Sequence, residues 1–400
     1  MACTGDAQFN LCRKKQTSAW NGLLRFYGMV LFNSQNLKDE KMRRLWLTLF
    51  CFMSICAFEG LTAKAAVILF GSGVNQFAID FVPIGSPGNA GDPVPNGPIG
   101  TGMIKPFGSV AYEYQIAKYE ISREIIEKYN ADFGATNSMQ IPMADMRFLG
   151  GNQLGKPATG VTWNEAARFV NWLNTSQNFS PAYYFPTGGV NDDVADWSPL
   201  LHPLDYDSTN PVRSRRAKYV LPTFDERYKA TFYDPTKDGT GGYWTYASSS
   251  DSVPIAVASG TSPNTLVYAQ TFEQGPALVD QAGGLNAFGV MGMGGNVYEF
   301  EESIGTFTTN GIPYRGLYSG RWDGEEFQQT RDFRSMWPAH VGIANIGFRV
   351  VSLSGGGGGG GKGVVPEPGT IWIVAAMGLP AYARWRKTRR LGSGKEMPLA

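Results

Sequence analysis

Two short apolar runs near the ends of the chain limit which residues can form a folded core. One covers residues 45–58 and the other residues 370–383, and neither contains a charged residue. Each is shorter than the roughly 20 apolar residues that a membrane-spanning helix requires. Runs of this kind are typical of targeting segments, which are not parts of a domain. The globular core must therefore come from the residues between them.

The first run has the organisation of a secretory signal peptide. Two arginines precede it, and residues 63–65 (Ala-Lys-Ala) follow it with the small-x-small pattern of a cleavage site. We expect residues 42–65 to be a signal peptide that is removed after Ala65, and residues 1–41 to be a non-native N-terminal extension. A membrane anchor that is not cleaved is the alternative for this apolar run.

The second run lies between two further features. Pro366-Glu367-Pro368 precedes it, five basic residues follow it, and a glycine-rich linker at residues 355–365 joins it to the domain. An apolar run followed by a basic cluster stops transfer across a membrane and keeps the cluster on the cytoplasmic side. The order of these features resembles the PEP-CTERM sorting signal of bacterial exopolysaccharide-associated proteins.

That resemblance implies a route to the cell surface. Residues 366–400 would hold the exported protein in a membrane until an exosortase-type enzyme cleaves at Pro366, Glu367 and Pro368. We therefore expect the protein in the cell envelope or at the cell surface. The stretch at residues 391–400 departs from the pattern, because this signal usually ends in a shorter tail.

The charge of the domain differs from that of the whole chain. Residues 66–361 contain 19 basic and 28 acidic residues, a net charge of −9, although the full chain has a formal charge of +1. An acidic domain repels phosphate backbones, so nucleic acid is not an expected partner. A solvated acidic surface explains the excess charge, and an acidic recognition face is the alternative.

Cysteine and histidine usage restricts the chemistry of the domain. All four cysteines precede residue 66, so the mature domain has no disulfide, no thiolate nucleophile and no thiolate metal ligand. A domain of about 300 residues buries enough surface to fold without such links. Its two histidines, His202 and His340, are too few for a site of three imidazoles, and each is expected to be a surface or packing residue.

Local patterns predict a fold with few helices. Residues 67–82 predict an opening pair of strands, and the alternation in residues 110–116 predicts another strand. Ser122 is placed to cap a helix that runs through Tyr129. Short strands and glycine turns follow in the second half, up to residues 348–352, which indicates the α+β class.

Two capping boxes mark further helices. Thr162 and Glu165 form the first box, and the apolar residues Ala166, Phe169, Val170 and Leu173 follow it at helical spacing. The second box, Thr223-Phe-Asp-Glu226, opens a shorter helix to about Phe232. Four aromatic residues, Trp163, Trp172, Phe288 and Phe348, are predicted to lie in the core.

Eight segments, taken in order, resemble the formylglycine-generating enzyme family, also called sulfatase-modifying factor domains. They are residues 116–122, 157–166, 169–173, 219–226, 286–290, 294–299, 314–316 and 345–349. The resemblance implies a large irregular α+β domain related to C-type lectins, with few helices and many short strands. It spans residues 110–352, and we interpret residues 66–354 as one domain.

Enzymes of this family oxidise a substrate cysteine with a pair of active-site cysteines that hold copper. The positions that match those cysteines fall near Arg321 and Glu326, and residues 315–327 contain no cysteine. Soft Cu(I) needs thiolate ligands, so neither copper nor the formylglycine-generating oxidase activity is expected. A related branch of the family uses non-haem iron held by three imidazoles, which two histidines cannot supply.

The sequence retains part of a structural calcium site that the resemblance to this family implies. Gly295, Val297 and Glu299 match positions where family members bind Ca²⁺ through two main-chain carbonyls and one carboxylate. Hard cations prefer such oxygen ligands. The chain has Gly292 where the family often has an asparagine ligand. A turn in which Glu299 makes only hydrogen bonds is the alternative.

These observations favour a non-catalytic binding or structural protein of the cell envelope. Its expected partners are exopolysaccharide or other surface proteins. The alternative is an enzyme of the same superfamily with unrecognised chemistry. Exposed tyrosine and tryptophan side chains and carboxylates in one groove would favour sugar binding, whereas a closed pocket with converging titratable groups would favour an enzyme.

Overall fold

The computed structural model describes residues 65–93, 106–190, 192–309 and 311–354. Three α-helices lie in these ranges: α1 (Arg123–Tyr129), α2 (Trp163–Ser176) and α3 (Phe224–Phe232). A single π turn at Asn130–Gly134 continues α1. The remainder of the described chain consists of short strands, short 3₁₀ turns and long ordered loops. The irregular α+β fold predicted from the sequence is therefore confirmed.

The main sheet has five strands in the order β1-β2-β3-β13-β4. Their bounds are β1 Ala66–Phe70, β2 Phe77–Ile84, β3 Tyr114–Ala117, β4 Tyr219–Val220 and β13 Val351–Leu353. All neighbours in this sheet are antiparallel. The predicted opening strand pair is confirmed as β1 and β2. The third strand is shorter than predicted, because the chain bends before Tyr114.

A second sheet has four strands in the order β11-β10-β9-β12. These strands are β9 Tyr298–Thr309, β10 Ile312–Tyr318, β11 Ser335–Pro338 and β12 Ile346–Phe348. β9 and β10 form a long hairpin with register shifts, and β12 runs parallel to β9. Two pairs of two-residue strands complete the strands: β5 Tyr233–Asp234 with β6 Gly242–Tyr243, and β7 Ile255–Ala256 with β8 Thr265–Leu266.

Side-chain caps fix where the helices begin, as the sequence predicts. Ser122 accepts a hydrogen bond from the amide of Ile125 at the start of α1. Both capping boxes are present: Thr162 with Glu165 opens α2, and Thr223 with Glu226 opens α3. Each box satisfies amide groups that would otherwise lack partners at a helix start. The start of α2 positions a helix whose side chains line two pockets beside it.

The main core is built from buried side chains between Phe70 and Val351. Of the four aromatic residues predicted to be internal, Trp163, Trp172 and Phe348 are buried, and Phe288 is only half-buried at the edge of the core. The described residues therefore contain a complete hydrophobic core of their own, which is the requirement for a domain to fold independently.

None of the helices in the described residues is long and apolar enough to cross a membrane. The two predicted targeting segments, residues 42–65 and 366–400, lie outside the described residues, with the exception of Ala65. The predicted processing residues Pro366, Glu367 and Pro368 therefore also lie outside them. Their roles stay predictions.

Candidate ligand groove

A groove lies beside α2, between the π turn after α1 and the loop at residues 181–197. It has two chambers, one mainly aromatic and one mainly polar, and both are lined by Met139 and Arg168. The aromatic chamber has a volume of about 320 Å³ and the polar chamber about 440 Å³. Volumes of this order are typical of sites for small ligands.

The aromatic chamber is lined by rings from three separate segments. Phe133 comes from the π turn, Trp172 from α2, and Tyr184, Phe185 and Trp197 from the loop beyond it. Phe133, Tyr184 and Phe185 are half-buried, so part of each ring is accessible to solvent. Accessible ring faces with polar groups nearby give a surface that is apolar at its base and able to form hydrogen bonds at its edge.

Hydrogen bonds hold the floor of the aromatic chamber in place. The side chain of Asn171 on α2 donates to the carbonyl of Tyr183 and accepts from its amide, both at 2.8 Å. The Tyr183 hydroxyl donates to Oε1 of Glu302 at 2.5 Å, and Arg213 donates to the same oxygen at 2.8 Å. Tyr183, Glu302 and Arg213 are buried. Their hydrogen bonds therefore fix the position of the chamber floor before any ligand binds.

The far wall of this chamber is backed by tilted and edge-on ring contacts. The centroid of Tyr184 lies 4.4 Å from that of His202 and 5.4 Å from that of Trp197. The Trp197 indole N–H donates to the carbonyl of Ala182 at 3.0 Å. His202 is therefore a packing residue here, as predicted. His340 is exposed.

Arg168 separates the two chambers. Its guanidinium lies over the ring of Phe185, with Cζ 4.3 Å from the ring centroid. The same group donates to the carbonyls of Gly189 at 3.0 Å and Asp192 at 2.5 Å. Burial lowers the pKa of this guanidinium, which nevertheless stays charged at neutral pH. Arg168 thus orders the loop and places a cation and an aromatic ring side by side.

The polar chamber offers hydrogen-bonding groups. Ser138, Gln140, Glu165 and Arg168 line it, together with the apolar side chain of Val190. One oxygen of Glu165 accepts from the Thr162 amide at 2.8 Å in the capping box, and burial raises the pKa of this carboxyl. The two adjoining chambers therefore present accessible aromatic rings, a carboxylate and a cation.

Arg321 and Glu326, near which the sequence places the family's catalytic positions, do not line the groove. Nε of Arg321 is 2.9 Å from a carboxylate oxygen of Asp323, and its guanidinium lies 5.8 Å from the ring centroid of Tyr298. Glu326 accepts a hydrogen bond of 2.6 Å from the hydroxyl of Tyr246, and this bond raises the pKa of Tyr246 to about 12. Arg321 and Glu326 thus form an ion pair and a hydrogen bond with neighbouring side chains.

Glu299, the predicted carboxylate ligand for calcium, lies inside a buried ion cluster. Arg349 donates to both of its oxygens, and Nη1 of Arg227 is 3.2 Å from Oε2. Glu299 and both arginines are fully buried. Two guanidinium groups beside one carboxylate repel a cation and occupy its lone pairs, so these residues do not fit a calcium ion in this arrangement.

The other two predicted ligands, Gly295 and Val297, lie on the turn before Glu299. This turn packs against the segment that contains β8: Gly295 forms an isolated parallel bridge with Val267, and the amide of Asn296 donates to the Val267 carbonyl at 2.8 Å. The structure thus brings the three residues together, and the geometry favours the reading in which Glu299 makes only hydrogen bonds and ion pairs. In the described residues, no group of three or more histidine, aspartate or glutamate side chains forms a metal site.

Two further buried carboxyls have altered acidity. Burial raises the pKa of Glu301 to about 8 and that of Glu120 to about 7. The Oε2 atoms of both carboxyls lack a hydrogen-bond partner, and Glu120 accepts from the Asn296 side chain through Oε1. Carboxyls of this kind are candidate acids or bases when a substrate can reach them.

Comparison with known families matches residues 109–353 to the sulfatase-modifying factor enzyme 1-like domain. That match covers more than half of the chain. The chain belongs to this family. The family resemblance noted in the eight sequence segments is therefore confirmed.

Several solved structures are similar to this member of the family. CarF is 19% identical, with a TM-score of 0.48, and the match covers 69% of this chain and 98% of CarF. Treponema denticola variable protein 1 is 18% identical (TM-score 0.43), with 73% and 100% of the two chains covered. PvdO from Pseudomonas aeruginosa is 16% identical (TM-score 0.43), with the same coverage. None of the curated proteins matches the chain.

The groove residues were not predicted from the sequence. The run Tyr183-Tyr184-Phe185 and the nearby Trp197 are a local concentration of aromatic side chains, and this was the available indication. They lie in a loop without periodicity, and Phe133 and Trp172 reach them only through tertiary packing.

Proposed function

We propose that this family member is an exported cell-envelope protein that binds carbohydrate of an exopolysaccharide in the groove beside α2. The groove carries the proposal, because it combines half-buried rings of Tyr184 and Phe185 with the charged groups of Arg168 and Glu165. Sugar rings present apolar C–H faces together with hydroxyl groups, and this surface has a complement for each.

Export, anchoring and release by an exosortase-type enzyme form part of the same proposal. Export rests on the apolar run at residues 45–58 and the cleavage pattern that ends at Ala65. Anchoring and release rest on the Pro366-Glu367-Pro368 motif, which is followed by the apolar run at residues 370–383 and a basic cluster. A protein delivered in this way meets polysaccharide and surface proteins outside the cytoplasm. The proposal has no role for a bound copper or iron, because the domain lacks thiolates and has only two histidines.

A glycan array probed with residues 66–354 tests the proposal. We expect the unaltered domain to bind a restricted set of saccharides, and Phe185→Ala to lose that binding. Phe327→Ala is the matched control, because it removes an exposed phenyl ring from the segment of the family's catalytic positions. No saccharide bound, or equal binding by Phe185→Ala, would refute the proposed site. Repeating the array with and without Ca²⁺ shows whether the ion contributes.

An enzyme with unrecognised chemistry is the second candidate function. The observation that favours it is the buried carboxyl of Glu301, whose pKa of about 8 suits proton transfer near neutral pH.

A further inference from the structure

Three leucines on two successive turns, residues 199–201 and 203–205, are unusually exposed. Leu200, Leu201 and Leu204 have 86%, 71% and 62% of their surface accessible to solvent. Isolated apolar residues are common on protein surfaces, but a contiguous apolar patch indicates an interaction site. We name this group the leucine turn.

The backbone of the leucine turn is ordered by hydrogen bonds. The Ser198 hydroxyl accepts from the amides of Leu200 and Leu201 at 3.3 and 3.2 Å, and its carbonyl accepts from the His202 amide at 2.8 Å. His202 packs inward against Tyr184, 4.4 Å between ring centroids. The leucines are therefore presented outward on a fixed turn that is anchored by an aromatic contact.

Cationic groups lie directly beside these leucines. The guanidinium of Arg215 donates to the carbonyls of Leu204 at 2.8 Å and Pro203 at 2.9 Å. Arg216 lies next to it, and 38% of its side chain is exposed. Asp205 and Asp207 lie in the same loop. Asp205 accepts from the Ser214 hydroxyl at 2.7 Å and lies 4.0 Å from Arg216.

The local charge is opposite to that of the domain. Residues 198–218 contain four basic and two acidic residues, but Arg213 is buried and paired with Glu226 and Glu302. The accessible charged groups, three basic and two acidic, have a net charge of +1, whereas residues 66–361 have a net charge of −9. Apolar side chains flanked by arginines match the boundary of an anionic bilayer, where leucines enter the acyl region and guanidinium groups stay among the headgroups.

The leucine turn lies near the point where the described chain ends. The amide of Leu353 donates to the carbonyl of Lys218 at 2.8 Å, and the Lys218 ammonium donates to the carbonyl of Leu353. Only two residues separate Lys218 from Arg215, which contacts the turn. The contour length of these links places the turn within about 20 Å of the exit of the chain.

The sequence after that exit leads to the predicted membrane segment. Residues 355–369 are rich in glycine and precede the apolar run at 370–383. A flexible glycine-rich chain of that length has an end-to-end distance of about 20 Å. The predicted anchor would therefore hold the domain close to the bilayer on the side that carries the leucine turn.

We propose that the leucine turn, with Arg215 and Arg216, is a docking surface for an anionic lipid bilayer. The choice of a bilayer as the occupant rests on the anchoring in the proposed function. The sugar groove does not depend on it. Docking would fix the orientation of the domain on the membrane before the tail is cleaved, and release would leave the turn exposed.

Vesicle co-sedimentation of residues 66–354 tests this surface without the tail. The vesicles are phosphatidylcholine alone or an equal mixture of phosphatidylglycerol and phosphatidylcholine. We expect binding to the mixed vesicles that weakens with added salt, and a loss of at least about tenfold when all three leucines are replaced by serine, since binding scales with buried apolar area and charge. The matched control replaces three exposed apolar residues of other segments by serine: Val74, Phe148 and Leu285.

The outcomes are distinct. Absence of vesicle binding by the unaltered domain, or equal binding by the leucine variant, would overturn the proposal. Loss of binding in the control variant as well would also overturn it. Thermal melting and far-UV circular dichroism establish that each variant is folded. Light scattering shows whether the leucine turn joins two copies of the domain, and self-association lost in the leucine variant without vesicle binding would replace the lipid proposal. The glycan array tests the groove separately, so failure of the lipid proposal and failure of the carbohydrate proposal are distinguishable.

Discussion

The guanidinium of Arg349 forms a two-point contact with the carboxylate of Glu299: Nη2 donates to Oε1 at 2.9 Å and Nε donates to Oε2 at 3.0 Å. Both side chains are completely buried. The contact joins the end of β12 to β9, and Arg227 from α3 adds a second cation. A buried pair of this kind is costly to break, because the remaining partner keeps an uncompensated charge.

Replacing Glu299 with glutamine should therefore lower the stability of the domain by about 3–5 kcal/mol. Glu326→Gln, which changes an exposed carboxylate, should have little effect. Urea denaturation of residues 66–354 measures both. A decrease of less than about 1 kcal/mol in the free energy of unfolding for Glu299→Gln would contradict a stabilising role for the Glu299–Arg349 pair.

Calcium should not change this stability if Glu299 serves only as the partner of the two arginines. The unaltered domain is then expected to melt at the same temperature with Ca²⁺ and with a chelator. A ligand that binds only the folded state raises the melting temperature by mass action. A calcium-dependent rise that disappears in Glu299→Gln would instead establish the site at Gly295, Val297 and Glu299 predicted from the sequence.

The buried carboxyl of Glu301 should make stability depend on pH. Burial raises its pKa from 4.5 to about 8, so the folded state binds a proton that the unfolded state releases above pH 4.5. The stability that this group contributes is full below about pH 4.5 and is lost as the pH rises through about 8, with a slope of up to about 1.4 kcal/mol per pH unit.

Glu301→Gln removes that titration. Between pH 5 and pH 8 the stability of the variant should therefore fall less steeply than that of the unaltered domain. Denaturation in urea at unit pH intervals measures the difference in slope, and Glu326→Gln serves as the control. Parallel curves for Glu301→Gln and the unaltered domain would show that the pKa of Glu301 is the same in the folded and unfolded states, which contradicts the prediction.

Some features of the fold follow from short stretches of sequence. The capping boxes at Thr162 and Thr223 were predicted with their correct helix starts, because a cap depends on residues only three positions apart. The strand predicted at residues 110–116 begins instead at Tyr114. Val110 is buried without belonging to a strand, and its carbonyl accepts from the amide of the distant Gly88 at 2.8 Å.

The groove and the ion cluster depend on contacts between distant residues. Phe133 and Tyr184 are 51 positions apart in the sequence, and both line one chamber only because α2 packs between their segments. Arg227 and Arg349 are separated by 122 positions and meet at the same carboxylate. A pattern search over neighbouring residues has no access to such pairs. The family's segments nevertheless indicated the fold, since their order along the chain is a long-range feature.

Export processing is testable at both ends of the protein. We expect the exported form to begin at about residue 66 and to lose the apolar tail, because the two apolar runs flank a polar, acidic domain. N-terminal sequencing and mass spectrometry of the surface fraction measure the two ends. Glu367→Ala should leave the tail attached. Residues 1–41 on the exported form would contradict the cleavage, and an intact tail on the unaltered protein would leave only a membrane anchor.

The domain should not convert cysteine to formylglycine. Oxygen activation in this family depends on thiolates, and the carboxylates at Glu325 and Glu326 favour hard cations over Cu(I). The assay incubates residues 66–354 with a Cys-x-Pro-x-Arg peptide, copper, reductant and oxygen, followed by mass analysis. Catalytic formation of the aldehyde above a metal-only control would favour the enzyme over the binding protein.

Calorimetric titration of the saccharide that binds best on the array is the most direct test of the groove. We predict that Phe185→Ala in the aromatic chamber and Gln140→Ala in the polar chamber each weaken binding at least about tenfold, a change of about 1.4 kcal/mol, with the melting temperature retained. The control Phe327→Ala should bind like the unaltered domain. Full affinity in both groove variants, together with a loss in Phe327→Ala, would place the ligand at the family's catalytic positions and contradict a carbohydrate site beside α2.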